Sequence, residues 1–283
     1  MEAGRELSHR AIECFWIATG LFQVFSFRLL YRSPMAVIWK GHSESGKLEV
    51  RSAGATRRLY CDGVLHTQYN PKHILTGDVW DPMGLAPAVA APGNIQRALI
   101  LGLGGGAVVH QLRQFFNVPQ IQAIELDTKR IQLGRKFFGL KLPGIKLISG
   151  DAIEWVEQYD GPAFDLVIDD LFGQTDGEPV RAAPLTPRWL KKLNSMTSPN
   201  GILVTNCVDW AELLNSPFVQ SQVYRKRFAS ALHCMHETSW NHIAIFSRQQ
   251  IDVQSFEKRI QDLPQLRTAA MRRRLRFTTR QLW

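Results

Sequence analysis

Residues 98–112 read ALILGLGGGAVVHQL. Four apolar residues run into a glycine cluster and then into a helical pattern. Such a junction places a strand, a turn whose backbone approaches a ligand closely, and a helix amino terminus in direct succession. No Gly-Lys-Ser/Thr follows the glycines, so a Walker-type phosphate loop is excluded. From Gln96 onward strand and helix patterns alternate, which requires parallel strands joined by crossover helices. Strands are expected at 97–101, 120–125, 145–149, 164–169 and 201–206, with helices near 108–116, 128–138, 152–159 and 187–193. Residues 221–233 read as a further helix, and CMHETSW with NHIAIFSR as two strands turning near Asn241. The expected fold class is α/β: a doubly wound, mostly parallel, Rossmann-like sheet ending in an antiparallel hairpin, preceded by a small antiparallel β unit.

That β unit spans 35–76, where KLEVRSA, TRRLYCD and DGVLHTQ are strand-like and Asp62-Gly63 favours a hairpin turn. Residues 77–96 form a linker punctuated by Pro and Gly with a short helix, and 97–250 form the α/β domain. Residues 1–34 are an apolar amino-terminal segment and 251–283 a basic carboxy-terminal one. The 283 residues, 45% hydrophobic, suffice for a sizeable core. CFWIATGLFQVFSF, residues 14–27, is shorter than the ~20 residues a spanning helix needs, so membrane association of 12–30 is set aside. The net charge of +9 is uneven: residues 254–283 hold eight Lys/Arg against two Asp/Glu, a surplus of six. A solvated basic face with Leu275, Phe277, Leu282 and Trp283 packing inward explains this, and no nucleic-acid signature accompanies it. The four cysteines form no Cys-x-x-Cys pair, which fits a reducing cytoplasm. His233, Cys234 and His236 lack a second ligand cluster, so they read as core and no metal is expected.

Gly102, Gly104, Gly105 and Gly106 satisfy two patterns at once. G-x-G-x-x-A, ending at Ala107, suits a nicotinamide dinucleotide; G-x-G-x-G suits an S-adenosyl nucleoside. Glu125 closes the next strand, 23 residues after Gly102, where a carboxylate accepts both ribose hydroxyls of either ligand, or else caps the helix from Thr128. Asp151 and Ala152 in SGDAIEWV break the tie, because an acid there accepts from an adenine amine while the Ala N–H meets the ring. Asp151 also suits a helix cap with Glu154 as its capping-box partner. FDLVIDD ends a strand in Asp169 and Asp170 at the sheet's carboxyl edge, where open α/β sheets bind ligands. Asn206, Asp209 and Trp210 reach the same edge, whereas Trp80 and Trp155 read as packing.

Over residues 45–248 the chain resembles the spermidine/spermine synthase superfamily, built on the class I S-adenosylmethionine methyltransferase fold. LYCDGVLHT, LILGLGGG, AIELD, SGDAIEWV, FDLVIDD and NGILVTN carry the likeness. The resemblance implies that the glycine turn, Glu125, Asp151 and Ala152 bind an S-adenosyl nucleoside, and that the protein dimerises through its β unit. It also departs from the polyamine synthases. Their turn aspartate falls at Gly105, and the second acid of their D-S-S-D-P falls at Gly173 when the first aligns with Asp170. Their Tyr-His-Glu segment falls near Leu75, Thr76 and Gly77, and their Gln after L-D-G-V is His66. Asp169, Asp176 and Glu178 in the loop DDLFGQTDGEP are the acids that offer a substitute.

A polyamine is cationic and must lose a proton before it attacks, so the missing acids point away from aminopropyl transfer. GLGGG with the later FFGL is similar instead to the synthase-like methyltransferase branch, which includes enzymes acting on translation elongation factor. The expectation is therefore a cytoplasmic methyltransferase using S-adenosylmethionine, with Asp170 or Asp169 orienting a protein amine or small amine acceptor. Two alternatives stand beside it: a polyamine aminopropyltransferase using decarboxylated S-adenosylmethionine, and a non-catalytic nucleoside-binding protein.

Overall fold

The structure, a computed structural model, describes residues 35–175 and 178–283. The segment 1–34, including the apolar run, and Asp176 lie outside the described residues; Glu178 is described only as part of a strand. Among the described residues no helix is long and apolar enough to cross a membrane.

Strands β1 (Ala36–Ser43), β2 (Gly46–Ala53), β3 (Thr56–Cys61) and β4 (Val64–Tyr69) form a four-stranded antiparallel meander. Asp62 and Gly63 both take positive φ between β3 and β4, the geometry of a tight hairpin turn. Alternate residues Leu48, Val50, Leu59 and Cys61 face inward and meet Leu133 and Phe138 of the larger domain. Next come α1 (Trp80–Leu85) and a 3-10 turn at Ala86–Val89. The sequence suggested a linker here, yet Met83, Leu85, Ala86 and Val89 are fully buried. Small and apolar residues let this irregular stretch pack directly on the large sheet, despite its Pro and Gly.

The larger domain runs β5 (Arg97–Leu101), α2 (Ala107–Phe116), β6 (Gln120–Glu125), α3 (Thr128–Phe137), β7 (Ile145–Ser149), α4 (Ala152–Gln158) and β8 (Phe164–Asp169). A two-stranded hairpin follows, β9 (Phe172–Thr175) with β10 (Glu178–Arg181), where the sequence suggested a loop. Then come α5 (Pro187–Met196), β11 (Thr197–Cys207) and α6 (Trp210–Asn215). Two short helices, α7 (Pro217–Gln220) and α8 (Gln222–Arg225), lead to β12 (Ser230–His236) and β13 (His242–Ser247). The chain closes with α9 (Val253–Gln261), α10 (Ala269–Arg272) and β14 (Phe277–Gln281).

Eight strands make one sheet in the order β14-β12-β13-β11-β8-β5-β6-β7. The five from β11 to β7 are mutually parallel, and β13, β12 and β14 add on antiparallel. Two expectations need correction. The helix read over 221–233 shrinks to Gln222–Arg225, because Ser230–His236 is a strand held between β13 and β14. Burial of Ala231 and Leu232 there overrides the helical propensity of the run. The sheet also does not end at the hairpin: residues 277–281 of the basic segment pair with β12 as its outermost strand. Leu275 and Phe277 pack on one side of the sheet, Leu282 and Trp283 on the other.

Strands β6 and β7 lie to one side of β5, and β8 and β11 to the other. This reversal opens a crevice beyond the carboxyl ends of β5 and β8, the usual ligand position in such sheets.

Candidate functional site

The crevice holds a cavity of about 490 Å³, within the range of small-molecule sites. Gly102 ends β5 with φ 89°, and its N–H donates to the Ile124 carbonyl at 3.0 Å. A side chain there would strike the Asp170 carbonyl, so only glycine lets the turn lie against the end of β8. Gly102 and Gly104 line the cavity. Gly105 and Gly106 do not: the first is pressed on Thr67 of β4, and the second, at the start of α2, on Leu140. The space of the family's turn aspartate is thus filled from β4.

Glu125, 6% exposed at the end of β6, holds this turn. Its Oε2 accepts the N–H groups of Leu103 and Gly104 at 3.1 and 3.0 Å, and Oε1 accepts that of Asp127 at 3.0 Å. Burial raises its pKa, opposed by nearby Arg130 and by these bonds. The cap of α3 is Asp127, whose Oδ1 accepts from the Lys129 N–H at 2.8 Å. Glu125 is therefore left to the turn and the cavity, which it lines. Asp151 caps α4 through the Ile153 N–H at 2.7 Å, and Glu154 bonds Gln158 rather than reaching back. Asp151 and Ala152 both face the cavity.

Asp170 and Asp169 part company. Successive residues of a strand point to opposite faces. Asp170 lines the cavity and accepts from Asn206 Nδ2 at 2.8 Å. Burial first, and then the adjacent Asp169, push its pKa up to about 7, against the Asn206 bond. Asp169, 0% exposed, is absent from the cavity wall. Its Oδ2 accepts from Arg181 Nη2 at 2.6 Å and Trp189 Nε1 at 2.9 Å, so of the two acids expected at the site the structure brings only Asp170 to the cavity. Asp209 caps α6 at 2.8 Å, and Trp210 stacks near His233 and His242, so of the three edge residues named from sequence only Asn206 lines the cavity.

Several wall residues escaped the sequence reading, among them Asp78, Val79, Trp80, Arg130 and Phe172. Asp78, Val79 and Trp80 line the cavity and follow directly on the segment matched to Tyr-His-Glu. Trp80 read as packing; it touches the core and also lines the cavity. Asp81 sets this wall, its buried carboxylate accepting from Thr76, Gly77 and Gln111 within 2.8 Å. The only sign of this in the sequence was the clustering of acids in GDVWD. His66 sits over Gly104, and Arg130 Nη1 lies 3.3 Å from its Nδ1. A guanidinium only donates, so Nδ1 accepts and the ring proton rests on Nε2. Burial, then Arg130, push its pKa down to about 3, keeping it neutral. His233 and His236, set aside as metal ligands, bond His242 and Thr238, and no group of three ligand residues occurs among the described residues.

A spermine/spermidine synthase domain model matches residues 82–259. The chain belongs to this family. Among curated relatives, the polyamine aminopropyltransferase of Pyrococcus abyssi is 28% identical over 145 residues, 47% of this chain and 50% of the relative. The eEF1A lysine and N-terminal methyltransferase of Danio rerio is 25% identical over 117 residues, 39% of this chain and 17% of the relative. The chain spans about half the length of the aminopropyltransferase relatives it matches. A crystal structure of a probable spermidine synthase from Corynebacterium glutamicum superposes with a TM-score of 0.66 at 14% identity, covering 87% of this chain and 91% of that one. That likeness concerns the fold: the α/β sheet with its small antiparallel companion is the architecture of the family.

Proposed function

We propose that the chain is a transferase that binds an S-adenosyl nucleoside in this crevice and passes its aminopropyl group to a small amine. The observation that carries this is the charge of the wall. Asp78, Glu125, Asp151 and Asp170 line the cavity, against one cation, Arg130, which is itself turned to Asp127 at 3.8 Å and to His66. Decarboxylated S-adenosylmethionine carries a sulfonium and an ammonium and no carboxylate, and its amine acceptor is also cationic. Both suit acid walls better than the carboxylate of S-adenosylmethionine does. The aminopropyltransferase relatives point the same way, and together they reverse the order in which the sequence ranked methyl and aminopropyl transfer.

The residues then divide the work. Glu125 takes ribose hydroxyls, and Asp151 with Ala152 takes the adenine edge. Asp170 faces the acceptor nitrogen and, ionised above about pH 7, removes its proton. The nitrogen lone pair attacks the aminopropyl carbon bonded to sulfur. The C–N bond forms, the C–S bond breaks, and its electron pair leaves with neutral methylthioadenosine. Alignment of the two partners supplies most of the rate, since the sulfonium is already a good leaving group.

Methyl transfer is the second reading, supported by the open space at Gly173, where the synthases' second acid falls. Calorimetric titration with S-adenosylmethionine, its decarboxylated form, methylthioadenosine and a nicotinamide dinucleotide separates them. We expect the decarboxylated compound to bind at least ~10-fold more tightly than S-adenosylmethionine, a difference of ~1.4 kcal/mol. The opposite preference establishes the methyl reading, and preference for the dinucleotide removes both.

A further inference from the structure

Asp170 accepts from Asn206, whose carbonyl in turn meets a buried guanidinium outside the cavity wall, that of Arg181. We propose that Arg181 is a positioning residue of the transfer site: one guanidinium fixes both the base of the hairpin over the cavity and the strand end that carries Asn206, and so sets Asp170. The inference rests on the role given to Asp170 above.

Arg181 is the last residue of β10, and its side chain is 3% exposed. All three of its nitrogens are engaged, Nε donating to the Ala183 carbonyl at 3.2 Å. Nη2 donates to Asp169 Oδ2 at 2.6 Å and to the Ala183 carbonyl at 2.9 Å. Nη1 donates to the Asn206 carbonyl, and Nε lies 3.3 Å from Glu212 Oε1. Glu212 in turn accepts the Val208 N–H at 2.7 Å, two residues beyond Asn206. The guanidinium therefore ties β8, β10, β11 and α6 at one point. Only a planar group with donors on three nitrogens makes these contacts at once; an ammonium at the same place is one point charge.

Two consequences reach the cavity. First, Arg181 anchors the hairpin whose other strand begins with Phe172 and Gly173, both in the wall, as is Ala182 beside it. Second, it fixes the main chain of Asn206, whose side chain is directed from the other side. Asn241 Nδ2 donates to Asn206 Oδ1 at 3.0 Å, so the Asn206 amide must present its NH2 to Asp170. Ser239 Oγ donates to Asn241 Oδ1 at 2.9 Å, giving one direction to the whole chain of bonds. The charged groups acting on Asp170 are the acids Asp169 and Glu125 and the cation Arg181.

Arg181→Lys keeps the charge opposite Asp169 but loses the fork. With aspartate labelled at the side-chain carboxyl carbon and the Asp170 signal identified by Asp170→Asn, we expect its titration midpoint to rise by ~0.5 unit or more as the Asn206 bond loosens. Affinity for methylthioadenosine should stay within ~2-fold and the transfer rate should fall ~10-fold or more, as misplacement of a reacting group implies. A purely structural Arg181 would lower the melting temperature and leave the midpoint where it is, which overturns the proposal. Should Arg181→Lys not fold, the pair Asp169→Asn with Arg181→Gln removes both buried charges together. Its hairpin and Asn206 amides should then exchange with solvent ~10-fold faster or more; exchange at the native rate overturns the proposal equally. Neither the titration midpoint nor the amide exchange needs turnover. If no amine accepts the aminopropyl group from the native protein, the transfer reading fails while the role of Arg181 is still decided.

Discussion

Replacing Glu125 by Gln tests the binding site and the glycine turn together. The carboxylate accepts three main-chain N–H groups, two through Oε2 and one through Oε1. A carboxamide has one oxygen. If it serves Leu103 and Gly104, the NH2 group confronts the Asp127 N–H; if it serves Asp127, it confronts the other two. At least one buried donor is left without an acceptor, at a cost of ~1–3 kcal/mol. For a chain of this size each kcal/mol lowers the melting temperature by ~2–4 °C. A nucleoside loses, in addition, a charge-assisted bond from its ribose, ~1.5–3 kcal/mol, or ~10- to 100-fold in affinity. Calorimetry with methylthioadenosine gives the second number and scanning calorimetry the first. Asp127→Asn is the comparison: it weakens the cap of α3 and frees Arg130 of the wall while leaving the Glu125 carboxylate in place. Burial raises the Glu125 pKa, so affinity in the native protein should also weaken as pH falls through that raised value, and Glu125→Gln should remove this dependence. A variant that melts earlier yet binds methylthioadenosine as tightly as the native chain would refute the ligand role and leave Glu125 as a pin for the turn alone.

Two further outcomes follow from the same geometry. The transfer rate should climb with pH through about 7 as Asp170 loses its proton, and Asp170→Asn should cost ~10²–10⁴-fold with the climb abolished, read from initial rates across pH. Gly105→Ala should destabilise by ~1–3 kcal/mol in a urea titration because the new methyl meets Thr67, and adding Thr67→Ser, which removes the opposing methyl, should restore most of it.

Strands β5, β6, β7 and β8 were readable to the residue because each is a short run that stops at a glycine or an acid, and the inner strands β5 and β8 are almost continuously apolar, as strands covered on both faces must be. The positions of Gly102, Glu125, Asp151 and Asp170 followed, since every strand's carboxyl end meets the same crevice. What stayed hidden depended on partners distant in sequence. FTTRQ in β14 is a polar edge strand and acquires its conformation only by pairing with β12. Residues 77–96 carry the punctuation of a linker, and nothing local reveals that Met83 and Val89 sit beneath the sheet. Asp169 and Asp170 differ only in parity along β8, and the side taken by each depended on where Arg181 arrived from a hairpin that read as a loop.

The contact of β4 with the glycine turn gives the small sheet a standing it would lack as an appended module. His66 and Thr67 form the ceiling over Gly104 and Gly105, while Leu48 and Leu59 are seated on Leu133 and Phe138. Dissecting the chain near residue 77 would therefore leave the α/β half unroofed at its glycine turn, and grafting this crevice onto another scaffold means transplanting the meander with it.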